Sequence, residues 1–334
     1  AQDNGIAVTI SKAEIKLFGF NITNSHEEED VFTSSAVRVL SNSNTVSFNK
    51  VTNSYAGILL EDTSDNTISY NSIDDVDFGI VLTKADDNQI RYNTILDSEE
   101  NDIELTNTGY STGSSGNTIS YNEEIGVIKI INSDNNLLVA QDSTTINLVD
   151  SANVSAIGST FDFVICNSES SLYLKNYFRI NVTRDGTPLE GVDVKVWDGD
   201  TTVYSTEYFE GSDDKTDSDG FVRNILAIYK VYDGSSSGTE NTTHIKVRYG
   251  DWFLSESDIF DKYTIINVDI PVFRVYNTNS EDGYNYIQRA IDNASAGDEI
   301  ILSAGTFNEN ILIDKELTLT GSGIGTIITV QPPF

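Results

Sequence analysis

The chain has 334 residues, with 20 Lys or Arg against 52 Asp or Glu, which gives a net charge of −32. A surface this acidic repels nucleic acid and anionic membranes, and it suits high ionic strength or the binding of divalent cations. No apolar run approaches the ~20 residues that span a bilayer, so membrane insertion is excluded as well, and the length suggests two or three domains.

The chain opens at Ala1, contains no Met and carries no leader, which reads as a processed product. Its first residues already look like the middle of a fold. In "AQDNGIAVTISKAEIKLFGFNITNS" the residues Ile6, Val8, Ile10, Ile15, Leu17, Phe20 and Ile22 mark short alternating strands. Residues 1–175 then carry an internal repeat. "NTVSFNKV" begins at Asn44, "NTISYNSI" at Asn66 and "NQIRYNTI" at Asn88, each 22 residues after the last. "NTISYNEEI" comes 29 residues later at Asn117, with "TNTGYSTGSSG" as the looped-out excess. A second motif keeps the same period, as "GILLED" from Gly57, "GIVLTK" from Gly79 and the degraded "NDIELT" from Asn101, and "GVIKII" from Gly126 closes it.

Each repeat holds two or three strands too short to form a sheet alone, so stability requires stacking about 4.8 Å apart along an axis. Val46, Ile68, Ile90 and Ile119 then form one internal column, and Val51, Ile73, Ile95 and Ile125 another. Asn49, Asn71, Asn93 and Asn122 are expected to take the left-handed corner and to stack their amides as a ladder. Gly57 and Gly79 are expected to make the opposite corner tight. Phe48, Tyr70, Tyr92 and Tyr121 form an aromatic column, read chiefly as stacked protection for the ladder and alternatively as a sugar-binding strip. The fold class is therefore all-β, a parallel β-solenoid. The repeat resembles the right-handed parallel β-helices of the pectin-lyase-like superfamily, most of all the Asn-rich repeats of archaeal and bacterial cell-surface proteins. That likeness covers residues 6–140 well and 140–175 loosely, and it implies an extracellular or cell-surface location and an archaeal source. Cys166 is alone, so it reads as a buried inert thiol. Sequons at Asn21, Asn153, Asn181, Asn241 and Asn293 are candidate glycosylation sites.

Residues 176–272 lose the period. "RINVTRDGTPLEGVDVKVWDGD" reads as a hairpin, and six or seven short strands point to a β-sandwich. The run "DGTPLEGVDVKVWD … TDSDGFV" resembles immunoglobulin-like spacer domains of the carboxypeptidase-regulatory-like type, which implies a spacer without an active site. Asp213, Asp217 and Asp219 could offer oxygen ligands to Ca²⁺, although a solvated turn explains them better.

In residues 273–334, Ile287, Ala290, Ile291 and Ala294 form the apolar stripe of a short helix. Strands come next in "DEIILSAGTF", "ENILIDK", "LTLTGSG" and "GTIITV". This order resembles the start of another pectin-lyase-like β-helix, in which such a helix caps the open end. The two ends of the chain thus read as halves of one solenoid. Ile300, Ile301, Leu302, Ile311, Leu312, Ile313, Leu317, Leu319, Ile327 and Ile328 are expected to complete the coils marked by Ile6, Val8, Ile10, Ile15, Leu17, Phe20 and Ile22. Closure within one chain would need the middle domain to reach back along the solenoid. Donation to a second copy needs no return, and it makes a head-to-tail homopolymer in the manner of donor-strand complementation.

Catalysis finds little support. His26 and His244 lack a nucleophile context, and no paired carboxylates mark a glycosidase. Arg38, Lys84 and Arg91 are the candidate bases of the array for a lyase, none within an evident acidic Ca²⁺ cluster, and the acids Asp74, Asp75, Asp77, Asp86 and Asp87 read as solvated turns. The expectation is a structural protein of an extracellular filament, sheath or surface layer, with no enzyme activity and no cofactor other than Ca²⁺. The alternatives are an adhesin that binds cell-surface glycans and a polysaccharide lyase or hydrolase.

Overall fold

Short β-branched strands with a repeating inward residue bury that residue only if successive coils lie in parallel register. That arrangement is present in the structure, a computed structural model that describes residues 5–23, 30–250, 252–271, 273–280 and 282–329. The chain divides into two units, residues 1–176 with 228–241, and residues 177–227 with 242–334.

In the first unit two long parallel sheets run along the solenoid. One passes through Val8–Ile10, Ser35–Val39, Lys50–Ser64, Ser72–Asp86, Thr94–Thr106, Ile125–Ile131, Asp142–Val149 and Thr160–Cys166. The other passes through Lys16–Phe18, Thr45–Ser47, Thr67–Ser69, Gln89–Arg91, Thr118–Ser120, Leu137–Val139 and Val154–Ile157 to the start of Ser171–Arg184. Register sets Val46, Ile68, Ile90, Ile119, Leu138 and Ala156 opposite one another in turn, and all of them are buried. A second column runs Val39, Leu60, Leu82, Leu105, Ile130, Leu148 and ends on Cys166. The cysteine is therefore a core residue that continues an aliphatic column, and burial raises the pKa of its thiol. Each such aliphatic side chain contributes roughly 1.5–3 kcal/mol when it leaves water.

The far end of this unit is closed by a hairpin that the sequence pattern assigned to the middle domain. Lys230 pairs with Glu240 and Val231 with Thr239 in antiparallel register. Tyr232 enters the solenoid core and Tyr229 packs against it. Gly234 N donates to Ser170 O at 2.9 Å, and Cys166 N donates to Ser236 Oγ at 3.0 Å. The hairpin thus covers apolar surface and satisfies backbone groups that a bare last coil would leave open.

The second unit holds two cores. An antiparallel sheet of Thr201–Ser205, Asp193–Asp198, Thr243–Tyr249 and Trp252–Asp258 packs Val194, Val196, Ile245 and Val247 together with Phe178, Ile180, Val182 and Val268. Phe178, Ile180 and Val182 lie on the strand Ser171–Arg184, which runs parallel to Thr264–Asp269, the strand that carries Val268. The remaining core gathers Val275, Tyr284, Ile287, Ala290, Ile291, Ile300, Leu302 and Phe307. Its helix, Ile287–Asn293, buries the expected apolar stripe, and the Glu309 carboxylate accepts the amides of Ile287 and Gln288 at its N-terminus. Beside it Glu299–Leu302 runs parallel to Thr318–Gly321, and Gly305–Asn308 runs parallel to Thr326–Thr329. This is the coil geometry of the solenoid, repeated on a smaller scale.

Candidate functional site

Two interior amide ladders run along the solenoid. Asn49 N and Nδ2 both donate to Asn71 Oδ1, Asn71 does the same to Asn93, and Asn93 to Asn122, at 3.0–3.1 Å. Gln141 continues the series by accepting from Asn122. The second ladder links Asn44, Asn66, Asn88, Asn117 and Asn136. Coil length read from these rungs is 22 residues, then 29, then 19.

The left-handed residue of each corner is not the asparagine but its predecessor. Phe48, Tyr70, Tyr92 and Tyr121 have φ of 56°, 55°, 55° and 54°. The asparagine turns inward because its amide is needed to satisfy the next coil's backbone, and this leaves the aromatic side chain outside. Gly57 and Gly79 also differ from expectation. Neither has positive φ, and each lies where a Cβ would strike the next coil, at 2.6 Å from Gly79 O and 2.3 Å from Asp102 O. They are required for close approach rather than for a turn.

The exposed aromatic column is continuous. Ring centroids of Phe48 and Tyr70, Tyr70 and Tyr92, and Tyr92 and Tyr121 are 4.8, 4.9 and 5.2 Å apart, with planes within 10°. Their faces cover one another, so the column offers edges along most of its length. The next corner residues, Ala140 and Gly158, are also left-handed but carry no ring.

Strand edges are the second feature. Among the described residues, Val8–Ile10, Lys16–Phe18 and Asn21–Thr23 each pair with one later coil. Among the proposed acceptors Ile10 and Ile22 are buried, Val8 and Leu17 pack partly against the core, and Ile6 is half-buried. Ile15, Phe20 and the neighbouring Phe18 are exposed. Among the proposed donors Ile300 and Leu302 are buried in their own core, and Ile311, Leu317 and Leu319 pack against it. Ile301, Leu312, Ile313, Ile327 and Ile328 are exposed, as is Ile324.

Two of the three candidate bases are engaged in ion pairs. Arg38 pairs with Glu61, and Lys84 pairs with Asp62 and lies over the Tyr110 ring. His244 stacks on Trp197 at 5.1 Å, while His26 lies outside the described residues. Arg91 stands exposed, as do Asp75, Asp86 and Asp87, whereas Asp74 and Asp77 are half-buried. The trio considered for Ca²⁺ serves a turn. Asp213 accepts Ser205 N. Asp217 accepts the amides of Asp219 and Phe221, and both Asp217 and Asp219 pair with Arg223. The Phe221 amide is the main reason that the Asp217 pKa is lowered. Among the described residues no group of three or more His, Cys, Asp or Glu could hold a metal ion. Of the sequons, Asn21, Asn153 and Asn293 are exposed and Asn181 and Asn241 half-buried, and the amides of Asn181, Asn241 and Asn293 donate hydrogen bonds.

No curated protein and no solved structure matches the chain. A family profile described as "Periplasmic copper-binding protein (NosD)" matches residues 2–211, and the chain belongs to that family. Membership agrees with the parallel solenoid and with an extracytoplasmic location. The residues do not fit copper, however. Copper sites draw on His, Cys and Met, and this chain has two His, one Cys and no Met. Its cysteine ends an aliphatic column, with Sγ against Ser170 O, and its described histidine stacks on a tryptophan.

Proposed function

We propose that this member of the NosD family is a structural protein of the cell exterior that assembles head to tail. Strands around 299–329 of one copy extend the solenoid of the next, beside Val8–Ile10 and Lys16–Phe18. The carrying observation is the match between two half-paired parallel edges. Val8–Ile10 and Lys16–Phe18 each pair with one coil, with Ile15, Phe18 and Phe20 exposed. Among the described residues, Thr318–Gly321 and Thr326–Thr329 each pair with one strand, with Ile324, Ile327 and Ile328 exposed. The residue spacing between paired strands is 19 for Glu299 to Thr318 and 21 for Gly305 to Thr326, within the range of the solenoid's own coils, which run from 29 residues at the Val8–Ile10 edge to 22 and 19 further along.

Main-chain pairing across such an edge is β-augmentation, and repeating a contact between unlike surfaces produces an open filament. The engaged state of Arg38 and Lys84 and the mutually covered aromatic faces favour this reading over a polysaccharide lyase or an adhesive strip along the column. Negative-stain images of the purified chain test it. Fibres that lengthen with protein concentration are expected, and isolated rods at every concentration would overturn it.

A further inference from the structure

Outward-facing positions of the first long sheet carry a small second core. Arg38, Leu59, Val81 and Glu104 stand in register on four successive coils. Ile103 and Leu105, on either side of Glu104, are buried in the solenoid core, so Glu104 points out of the sheet. Leu59 and Val81 are nonetheless at most 2% exposed, because Val31, Phe32 and Phe78 pack against them from outside. Beside this cover lies a groove of about 220 Å³, with Phe32, Tyr55, Phe78 and Val81 among its walls and Glu104 lining it as well. Tyr55 and Phe78 meet edge to face at 5.4 Å.

The polar groups of the groove are satisfied, with one exception. Thr83 Oγ1 donates to Thr108 O at 2.8 Å, and the Thr106 and Thr108 hydroxyls pair at 2.9 Å. Asp30 Oδ1 accepts the Phe32 amide. Glu104 is only 9% exposed. Its Oε2 accepts from Asn101 Nδ2 at 2.7 Å, and no donor among the described residues reaches its Oε1. That oxygen is not sealed in the interior, and it belongs to a side chain that lines the groove. Lys129 is the register neighbour on the next coil, but among the described residues the two form no ion pair. Burial is the main cause of the raised Glu104 pKa, and a carboxyl kept at such a cost in a cleft is characteristic of a binding site.

We infer that the groove binds a small primary amine with a compact hydrocarbon body, whose ammonium group donates to Glu104 Oε1. The open atom is an acceptor, so the ligand must bring a donor. Of the described residues that line the groove, only Asp30 and Glu104 are charged, which favours a cation. The rings of Phe32, Tyr55 and Phe78 cover an apolar body and attract the cation. The volume is below the ~300 Å³ of sites that hold drug-sized ligands, which limits the ligand to a small one. A free amino acid is disfavoured, since its carboxylate would meet two acids and no Lys or Arg.

The test titrates the full chain by calorimetry with isopentylamine and with three relatives that each change one feature. 3-Methylbutanol keeps the body without the charge, methylamine keeps the charge without the body, and leucine adds a carboxylate. Glu104→Gln removes the charge and keeps the shape, while Thr108→Trp crowds the groove from an exposed position. Glu124→Gln removes an exposed carboxylate that does not line the groove, and so measures diffuse attraction to an acidic surface. The expected result is one saturable site for isopentylamine, weakened about tenfold or more by Glu104→Gln and by Thr108→Trp but not by Glu124→Gln. The three relatives are expected to bind at least about tenfold more weakly than isopentylamine. Glu104→Gln is expected to keep a cooperative melting transition, and isopentylamine to raise the midpoint of the wild type but not of this variant. Absence of saturable isopentylamine binding would overturn the inference. Equal affinity of wild type and Glu104→Gln for the amine would do the same, as would equal affinity of the wild type for isopentylamine and 3-methylbutanol.

Discussion

At the scale of single residues, stability rests on side chains that serve the neighbouring coil. Asn71 illustrates this, since its Oδ1 accepts from Asn49 and its Nδ2 donates to Val46 O and to Asn93. Asn71→Ala leaves buried partners unpaired on both sides, and a loss of about 3 kcal/mol or more is expected by urea unfolding. Gly79→Ala forces a Cβ to within 2.3 Å of Asp102 O and 2.7 Å of Ile95 Cγ2, so the coils must part, at a cost of about 2–3 kcal/mol in the same assay. Glu104 gives a pH signature. It is 9% exposed, and burial is the main cause of its raised pKa. A carboxyl with a raised folded-state pKa stabilises the fold below its unfolded pKa and loses that contribution as pH rises through the folded value. Glu104→Gln is therefore expected to raise the melting temperature at pH 7, with the gain shrinking as pH falls toward about 4.

Among elements, the repeat was legible because a 22-residue period with Asn and β-branched residues in fixed places has few physical solutions. Its finer assignments were less so. The left-handed residue could be the asparagine or its neighbour, since either tolerates the corner once a ladder demands the amide inside. After Asn136 the rungs shift to Gln141 and Ser, as in Ser133 donating to Ser151 Oγ, so the coils continue without the letters that announced them. The hairpin around Tyr229 and Tyr232 gave no sign of its destination, because its residues alternate like any strand and only tertiary packing commits them to the solenoid. Tyr232→Ala is expected to cost about 3 kcal/mol and to speed backbone exchange in Thr160–Cys166 before that in Thr67–Ser69, measured by hydrogen exchange.

Across the whole molecule, the resemblance of the repeats to cell-surface β-helices pointed outside the cytoplasm, and the family agrees. The central claim concerns the two half-paired edges. Ile327→Lys with Ile328→Lys alters side chains that are already 49% and 42% exposed, so the fold of a single copy is expected to persist. Sedimentation velocity of wild type and this variant across roughly a hundredfold range of concentration compares the edges most directly. The account predicts wild-type material that grows with concentration and a variant that stays at the mass of one chain. Identical sedimentation of the two, whether both grow or both remain single chains, would contradict it.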